Sequence, residues 1–201
     1  MLVILQIKRF DMRNIQRIKN IQHLDQYKIV AGMATIPSRS KNLHKVINSI
    51  IDQIDHLYVH LNYDVDNEIP QVLYNSKITI THSKDDGDLG ASGKFFGILK
   101  HMKSVYTITI DDDIIYPENY VTTMVTTSNK YNDMAIITFH GGILPKHVKS
   151  YKDERNLIHF NDTNTKDTFA NLPGTGVSLY PPGLLNLDLY DFKRPNAADL
   201  F

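Results

Sequence analysis

The chain has 201 residues, which is enough for one well-packed domain and short for two ordinary ones. Lysine plus arginine equals aspartate plus glutamate at 22 each, so no net charge draws the protein onto nucleic acid or an anionic membrane. The sequence contains no cysteine, which excludes disulfide bonds, thiolate metal sites and a cysteine nucleophile. No stretch approaches the roughly 20 apolar residues of a membrane span. We therefore predict a cytoplasmic protein with no integral membrane segment and no nucleic-acid partner.

The first 27 residues are predicted to be an extension that precedes a single main domain of residues 28–201. Within the extension, Ile15, Ile18, Ile21 and Leu24 recur at three-residue steps, which predicts a helix over 14–24. No internal repeat or linker indicates a second domain. The extension is interpreted as an added element rather than as part of the core.

From residue 28 onward, apolar runs typical of strands alternate with helical patterns. The predicted strands are 28–35, 56–62, 77–82, 105–110 and 134–140, and the predicted helices cover 43–54, 93–102 and 118–131. This alternation predicts an α/β fold with a mostly parallel central sheet flanked by helices. The last third is rich in loops and carries two short strand candidates, 156–160 and 176–180.

Polar residues follow each of the five predicted strands, and the carboxyl ends of parallel strands share one edge of a sheet. We therefore predict a ligand site at that edge. The residues expected to converge there are Thr35, Pro37, Ser38, Arg39, Asn62, Asp64, His82, Lys84, Asp85, Asp86, Asp88, Asp111, Asp112, Asp113, His140, Gly141 and Gly142.

The stretch "TITIDDDIIYP" places three adjacent aspartates at the end of the fourth predicted strand. Adjacent carboxylates raise one another's pKa, and a Mg²⁺ or Mn²⁺ ion would relieve the conflict with hard oxygen ligands. In a strand-like run Asp111 and Asp113 point the same way, which makes them the predicted metal pair, and Asp112 points the other way. The alternative is a solvated turn or a helix cap. An EF-hand loop is excluded, because Tyr116 and Thr122 occupy its glycine and glutamate positions.

The stretch "GDLGASGKFF" contains glycines that permit a close backbone turn, and Lys94 could supply a point charge for phosphate. It is not a Walker loop, because Asp88 stands in place of its first glycine and Phe95 in place of its serine or threonine. The alternative is a simple connection with a solvent-facing lysine. Arg39 has the same two interpretations, and His140 is either a metal ligand or a histidine at a strand end.

Seven segments in order, "ATIPSR", "QIDHLYVHLN", "GDLGASGKFFG", "TITIDDDIIYPENYVTTM", "TFHGG", "GTGVSLY" and "PNAADLF", resemble the nucleotide-sugar glycosyltransferases of the GT-A fold. More narrowly, they are similar to the small family-2-like enzymes of capsule synthesis and to the glycosyltransferase domains of large algal viruses. The resemblance covers residue 28 to the C-terminus. A viral origin would place the protein in the host cytoplasm.

The resemblance implies a role for each motif. The aspartate triplet corresponds to the D-x-D motif, so Asp113 and Asp111 would bind Mn²⁺ or Mg²⁺ and, through it, a nucleotide diphosphate. The turn Gly174–Gly176 would lie on the acceptor side, and Asp199 would be the general base. The remaining predicted nucleotide-binding residues are Ala34, Thr35, Ile36, Pro37, Arg39, Asn62, Asp88, Lys94 and Asp112.

Two departures from the family pattern are visible. Ala91 replaces an acidic residue of family members, and the chain stops two residues after Asp199, where members continue into a helix. A truncated domain with an incomplete acceptor side is the corresponding expectation.

The predicted function is an inverting, metal-dependent transfer of a sugar, with a UDP-sugar favoured as donor, to a hydroxyl of a glycan acceptor. The alternatives are a sugar nucleotidyltransferase and a non-catalytic module that binds nucleotide sugars or glycans. The oligomeric state is not predicted.

Overall fold

A computed structural model gives the fold, and the residues it describes are 28–63, 69–147, 150, 154–160 and 166–188, together with the backbone of 3–6. The predicted helix over 14–24, and the predicted site residues Asp64 and Asp199, lie outside the described residues. No helix of the described part of the chain is long and apolar enough to cross a membrane.

Strands and helices alternate through the first two thirds of the chain. The described strands are β1 Val3–Gln6, β2 Ile29–Thr35, β3 His56–Leu61, β4 Ile78–His82, β5 Tyr106–Ile110, β6 Ala135–Thr138, β7 Gly141–Ile143, β8 Asn156–Ile158, β9 Thr168–Ala170, β10 Leu172–Pro173 and β11 Val177–Tyr180. The α-helices are α1 Ser40–Ile50, α2 Ser83–Asp86, α3 Gly93–Phe96 and α4 Tyr120–Lys130. Short 3-10 turns cover Pro37–Arg39, Ile51–Gln53, Gln71–Leu73, Gly90–Ser92 and Leu99–His101.

The main sheet has eight strands in the order β4-β3-β2-β5-β11-β6-β1-β9. Strands β4, β3, β2 and β5 pair in parallel, and β6 runs in the same direction because β11 pairs antiparallel with both β5 and β6. The predicted α/β fold with a mostly parallel sheet flanked by helices is confirmed. Strands β10, β7 and β8 form a separate three-stranded sheet.

Strand β1 was not predicted from the sequence. Its backbone pairs antiparallel with β6 and parallel with β9, so part of the N-terminal extension belongs to the main sheet. A run of only four residues is too short to show the two-residue period of a strand, and a basic stretch follows it closely in the sequence.

The apolar core covers both faces of the sheet. On one face, α1 buries its stripe of Leu43, Val46, Ile47 and Ile50 against the strands, and α4 packs beside it. On the other face a second cluster surrounds Phe95. Because helices and turns cover both faces, β3 is buried at all six positions, which is the pattern of an interior parallel strand.

The single helix predicted over 93–102 is wrong. The structure has the four-residue helix α3 followed by the 3-10 turn Leu99–His101. Gly97 lies between them, and a Cβ there would come 2.4 Å from the Tyr58 side chain, so the segment is pressed against β3. Glycine also has low helix propensity, which disfavours one continuous α-helix through this segment.

Candidate functional site

The candidate site lies where β2, β3 and β5 end, at the carboxyl edge of the parallel strands. Two adjoining cavities open there. The first cavity has a volume of about 360 Å³, and the second cavity has a volume of about 630 Å³. Both fall in the range of small-molecule sites. Their shared wall consists of Arg39, Ala91, Lys94 and Asp111.

The structure brings nine of the ten predicted nucleotide-binding residues together around the first cavity. Pro37 is the exception; it begins the 3-10 turn that carries Arg39. Asp113 lines the second cavity. The lining of the first cavity is Ala34, Thr35, Ile36, Arg39, Asn62, Asp88, Gly90, Ala91, Lys94, Asp111 and Asp112.

The position of Lys94 follows from a close approach of two backbones. A Cβ on Gly32 would lie only 1.9 Å from the carbonyl oxygen of Lys94, so glycine in β2 allows α3 to pack directly on the strand. The side chain of Lys94 is 6% exposed, and its Nζ forms an ion pair with Asp111 Oδ1. Lys94 is therefore a buried, fixed cation rather than the solvent-facing lysine of the alternative interpretation.

Arg39 holds the other two aspartates. Its Nη1 donates to Asp112 Oδ1 at 2.6 Å and to Asp113 Oδ2 at 2.8 Å. The hydrogen bond to Asp112, reinforced by the negative charge of that carboxylate, raises the pKa of Arg39. The cluster thus contains three carboxylates and two cationic side chains, and this arrangement disfavours the simple solvated turn.

The strand alternation predicted for the triplet is wrong, because β5 ends at Ile110 and the aspartates lie in a turn. Asp112 is 5% exposed and Asp113 is 56% exposed, although one arginine nitrogen contacts both. Asp111 and Asp113 nevertheless share the second cavity, which Asp112 does not line. The turn, rather than a strand period, brings the predicted metal pair to one cavity.

Two polar atoms at the first cavity are buried without a hydrogen-bond partner among the described residues. They are Thr35 Oγ1, at the end of β2, and Asn62 Oδ1, just after β3. The other end of the Asn62 amide is fixed, because its Nδ2 donates to the carbonyl of Gly90 at 2.8 Å. Buried polar atoms usually have partners, so these two are candidate contacts for a polar ligand.

Asp88 shapes the glycine-rich turn beside the first cavity. Its Oδ1 accepts the backbone N–H of Gly90 at 2.9 Å. Gly90 has a φ of +53°, a left-handed conformation that favours glycine. The role that the geometry supports for Asp88 is therefore to fix the backbone that meets Asn62.

The second cavity has an aromatic wall opposite the aspartate turn. The rings of His140 and His159 lie 4.8 Å apart, and those of His140 and Phe160 lie 6.3 Å apart. Phe160 is 45% exposed although it is a large apolar residue. The turn Gly174–Gly176 and Val177 complete the cavity. A ligand there would contact both aromatic rings and carboxylates.

Gly176 and Tyr116 hold the aspartate turn, residues 111–113, against the turn Gly174–Gly176. A Cβ on Gly176 would lie 1.9 Å from Asp111 Oδ2, so only glycine lets the two turns touch. The Tyr116 hydroxyl accepts the N–H of Asp111 at 2.8 Å and donates to the carbonyl of Gly176 at 2.7 Å. Burial raises the pKa of Tyr116 well above its ordinary value, so the hydroxyl stays protonated.

Sequence reasoning missed Tyr116 as part of the site. The sequence gives only a weak signal for it, a tyrosine before a proline and three residues after the last aspartate. The hydroxyl reaches back five residues to Asp111 while it also contacts Gly176, which lies 60 residues further along the chain. Such a contact depends on the tertiary fold.

The side chains around the second cavity offer two carboxylates to the predicted divalent cation. Within the described residues no group of three or more His, Asp or Glu side chains is arranged to hold a metal ion. Asp111 and Asp113 do share one cavity. Magnesium-type ions are commonly held by one or two carboxylates, with water and substrate phosphate as further ligands. The residues therefore fit a cation held by two carboxylates, with water or phosphate as its further ligands, and do not fit an all-protein cage.

Comparison with known proteins does not identify a family. No model of a known protein family matches the chain, and no curated protein matches it with significance.

Proposed function

We propose that the protein is a metal-dependent, inverting glycosyltransferase of the GT-A fold that uses a nucleotide-diphosphate sugar, with a UDP-sugar favoured. The observation that carries the proposal is the cluster of Arg39, Lys94 and three aspartates at the junction of the two cavities, where Asp111 lines both, Asp112 the first and Asp113 the second. Fixed cations together with cation-binding carboxylates can stabilise the negative charge of a diphosphate between a nucleoside and a sugar.

The nucleoside of the donor would occupy the first cavity. Among the described residues, Thr35 Oγ1 and Asn62 Oδ1 are buried there without a hydrogen-bond partner and are suited to polar groups of a base or ribose. The diphosphate would then lie against Lys94 and Arg39, whose charges stabilise the negative charge that develops on the leaving group. Lys94 is held rigidly, so it needs little reorganisation at the moment of reaction.

A divalent cation would be held by Asp113 and Asp111. When bound, it would act as a Lewis acid that offsets charge on the departing nucleoside diphosphate. The chain's own residues orient the first of these carboxylates: Lys94 fixes the Asp111 side chain, and the Tyr116 hydroxyl accepts the Asp111 backbone N–H.

The acceptor glycan would occupy the second cavity. Phe160 and His159 offer exposed ring faces on which the apolar face of a sugar can pack, and the cavity reaches Asp113 beside the reacting centre. Asp199 is the proposed general base that takes the proton from the attacking hydroxyl. The sugar would pass through an oxocarbenium-like state and invert at the anomeric carbon.

The proposal is tested with a panel of nucleotide sugars, first by thermal shift with and without Mn²⁺ and then by donor turnover with glycan acceptors. Binding only the right donor raises the Tm by mass action. We expect one donor to stabilise the protein in a Mn²⁺-dependent way and to release a nucleoside diphosphate. Release of pyrophosphate from a nucleoside triphosphate would indicate a nucleotidyltransferase instead. Binding without turnover on any acceptor would indicate a binding module.

Asp113→Asn should lower turnover about 100-fold or more, because it removes the exposed carboxylate proposed for the cation. Asp52→Asn is the matched control, because Asp52 is an exposed carboxylate that lines neither cavity. Equal turnover by Asp113→Asn and wild type would show that the assignment of this carboxylate is wrong.

A further inference from the structure

Arg39 already places a positive charge on the carboxylate proposed to bind the metal. It reaches the aspartate turn from the 3-10 turn Pro37–Arg39 after β2. Both contacts use one nitrogen, Nη1, which lies 2.8 Å from Asp113 Oδ2 and 2.6 Å from Asp112 Oδ1. A divalent ion on the same face of Asp113 would stand close to the guanidinium, and like charges at contact distance repel strongly.

The two partners of Arg39 differ in how freely they can let it go. Asp112 is almost fully buried, whereas Asp113 and Arg39 are about half exposed. Arg39 can therefore keep its contact with Asp112 and release Asp113. A guanidinium has five N–H donors, so an arginine that keeps one carboxylate still has donors for another anion. Arg39 lines both cavities, which leaves those donors within reach of a bound phosphate.

The ion pair of Lys94 with Asp111 behaves differently. The Lys94 side chain is 6% exposed, so breaking its ion pair with Asp111 would leave a buried charge without a partner. Lys94 thus keeps its place on Asp111 Oδ1 whether or not a divalent cation binds to that carboxylate, whereas the cation on Asp113 can move away. This asymmetry makes Arg39 the group that competes for Asp113.

We propose that Arg39 is an internal counter-cation that holds Asp113 in the metal-free protein and must release it when a divalent cation binds. Arg39 thereby lowers the metal affinity of the free protein and is a determinant of that affinity, in addition to its role toward the diphosphate. This inference rests on the proposed function, because it takes Asp113 as the metal-binding carboxylate.

The test is a Mn²⁺ titration without nucleotide, in which free Mn²⁺ is measured by its EPR signal. Arg39→Ala should bind Mn²⁺ about fivefold more tightly than wild type, which is the scale of one half-exposed ion pair. Lys41→Ala is the matched control, because it removes the same charge from an exposed residue that lines neither cavity. It should bind Mn²⁺ as wild type does.

Thermal stability gives a second readout. In EDTA, Arg39→Ala should melt below wild type, because the aspartates lose their counter-charge. Saturating Mn²⁺ should narrow this gap, since the ion replaces the arginine. Unchanged or weaker Mn²⁺ binding by Arg39→Ala, no Mn²⁺ binding by either protein, or a stability gap that Mn²⁺ leaves unaltered would each overturn the inference.

These outcomes are distinguishable from failure of the proposed function, which is measured separately as sugar transfer by the wild-type protein. Transfer by wild type together with unchanged Mn²⁺ affinity in Arg39→Ala overturns the inference alone. Tighter Mn²⁺ binding in Arg39→Ala, without sugar transfer by wild type, supports the inference and overturns the proposed function alone.

Discussion

The two cavities of the site are built in different ways. The first cavity is formed mainly by residues that follow β2, β3 and β5, three strands that pair in parallel. The second cavity depends on turns before and after antiparallel or short strands, among them Gly174–Gly176 ahead of β11 and the His159–Phe160 segment after β8. One cavity is a product of sheet topology, and the other is a product of loop packing.

Sheet topology therefore determines the first cavity and leaves the second to the loops. The carboxyl ends of parallel strands meet whatever their loops contain, so the first cavity tolerates variation in the connections. The second cavity exists only where particular side chains and glycines allow two turns to touch. We therefore expect substitutions at the joint between the cavities to have the largest effects, and substitutions on the aromatic wall to have smaller and more selective ones.

The largest structural effect is expected at Gly176. In Gly176→Ala the new Cβ would collide with Asp111 Oδ2, and that carboxylate is held by Lys94, so the turns must separate. We expect a loss of about 1–3 kcal/mol in the free energy of unfolding, measured by urea denaturation, and a loss of turnover. Gly142→Ala is the control, because its Cβ would find its nearest neighbour at 3.6 Å. Equal stability of both variants would mean that the turns do not need this close contact.

Tyr116→Phe should cost about 1–2 kcal/mol, because the N–H of Asp111 and the carbonyl of Gly176 lose a buried partner. Tyr120→Phe provides a matched control. The Tyr120 hydroxyl is buried without a hydrogen-bond partner among the described residues, so its removal should be neutral or stabilising. Equal destabilisation of the two variants in chemical denaturation would argue against the bridging role of Tyr116.

Phe160→Ala separates the cavities functionally. It should raise the KM for the acceptor by up to about tenfold, the scale of one aromatic contact, and leave the affinity for the nucleotide sugar unchanged. Phe169→Ala is the control, because Phe169 is an aromatic residue at least as exposed that lines neither cavity. A change in donor affinity in Phe160→Ala would show that the two cavities are not independent.

The smallest effect at neutral pH is expected from His60, which packs against Gly93 beside the first cavity. Burial lowers the pKa of His60 from its ordinary 6.5. Below pH 6.5 the unfolded chain takes up a proton that the folded state resists, so the free energy of unfolding falls as the pH drops toward the lowered pKa.

His60→Asn should reduce this acid-side loss when the Tm is compared at pH 7.5 and pH 5.5. His56, whose pKa burial also lowers, should maintain part of it. His44→Asn is the control variant, because it makes the same change at an exposed residue of α1 that lines neither cavity. An acid-side loss in His60→Asn as large as that of wild type would rule out this contribution from His60.

The sequence predicted the parts of the fold that have a local period. The stripe of Leu43, Val46, Ile47 and Ile50 identified α1, and the apolar runs identified β2, β3, β4, β5 and β6. Strand β1 has four residues and no visible period, so only its pairing with β6 and β9 defines it. Gly97 packs against Tyr58, a residue nearly 40 positions earlier in the chain, and no local period in the sequence shows this contact.

The candidate site shows the same division. Topology alone was enough to gather Thr35, Asn62 and Asp111, because Thr35 ends a parallel strand and the other two each follow one. The pairing of Lys94 with Asp111, and of Arg39 with Asp112 and Asp113, depends on backbone distances that no sequence pattern states. Sequence spacing could not identify Tyr116, because its hydroxyl donates to the carbonyl of Gly176 only in the folded protein.

Strand β11 has a consequence for how the protein reaches this structure. It lies between β5 and β6 and pairs with both, although it follows them in the chain by about 40 residues or more. A chain emerging from the ribosome therefore exposes two unpaired strand edges until Val177–Tyr180 has been made and inserted. Such edges are sites of non-native pairing, and contacts between distant segments form slowly. Folding intermediates that lack this strand should be prone to aggregation, and chaperone dependence during synthesis should end when β11 joins the sheet.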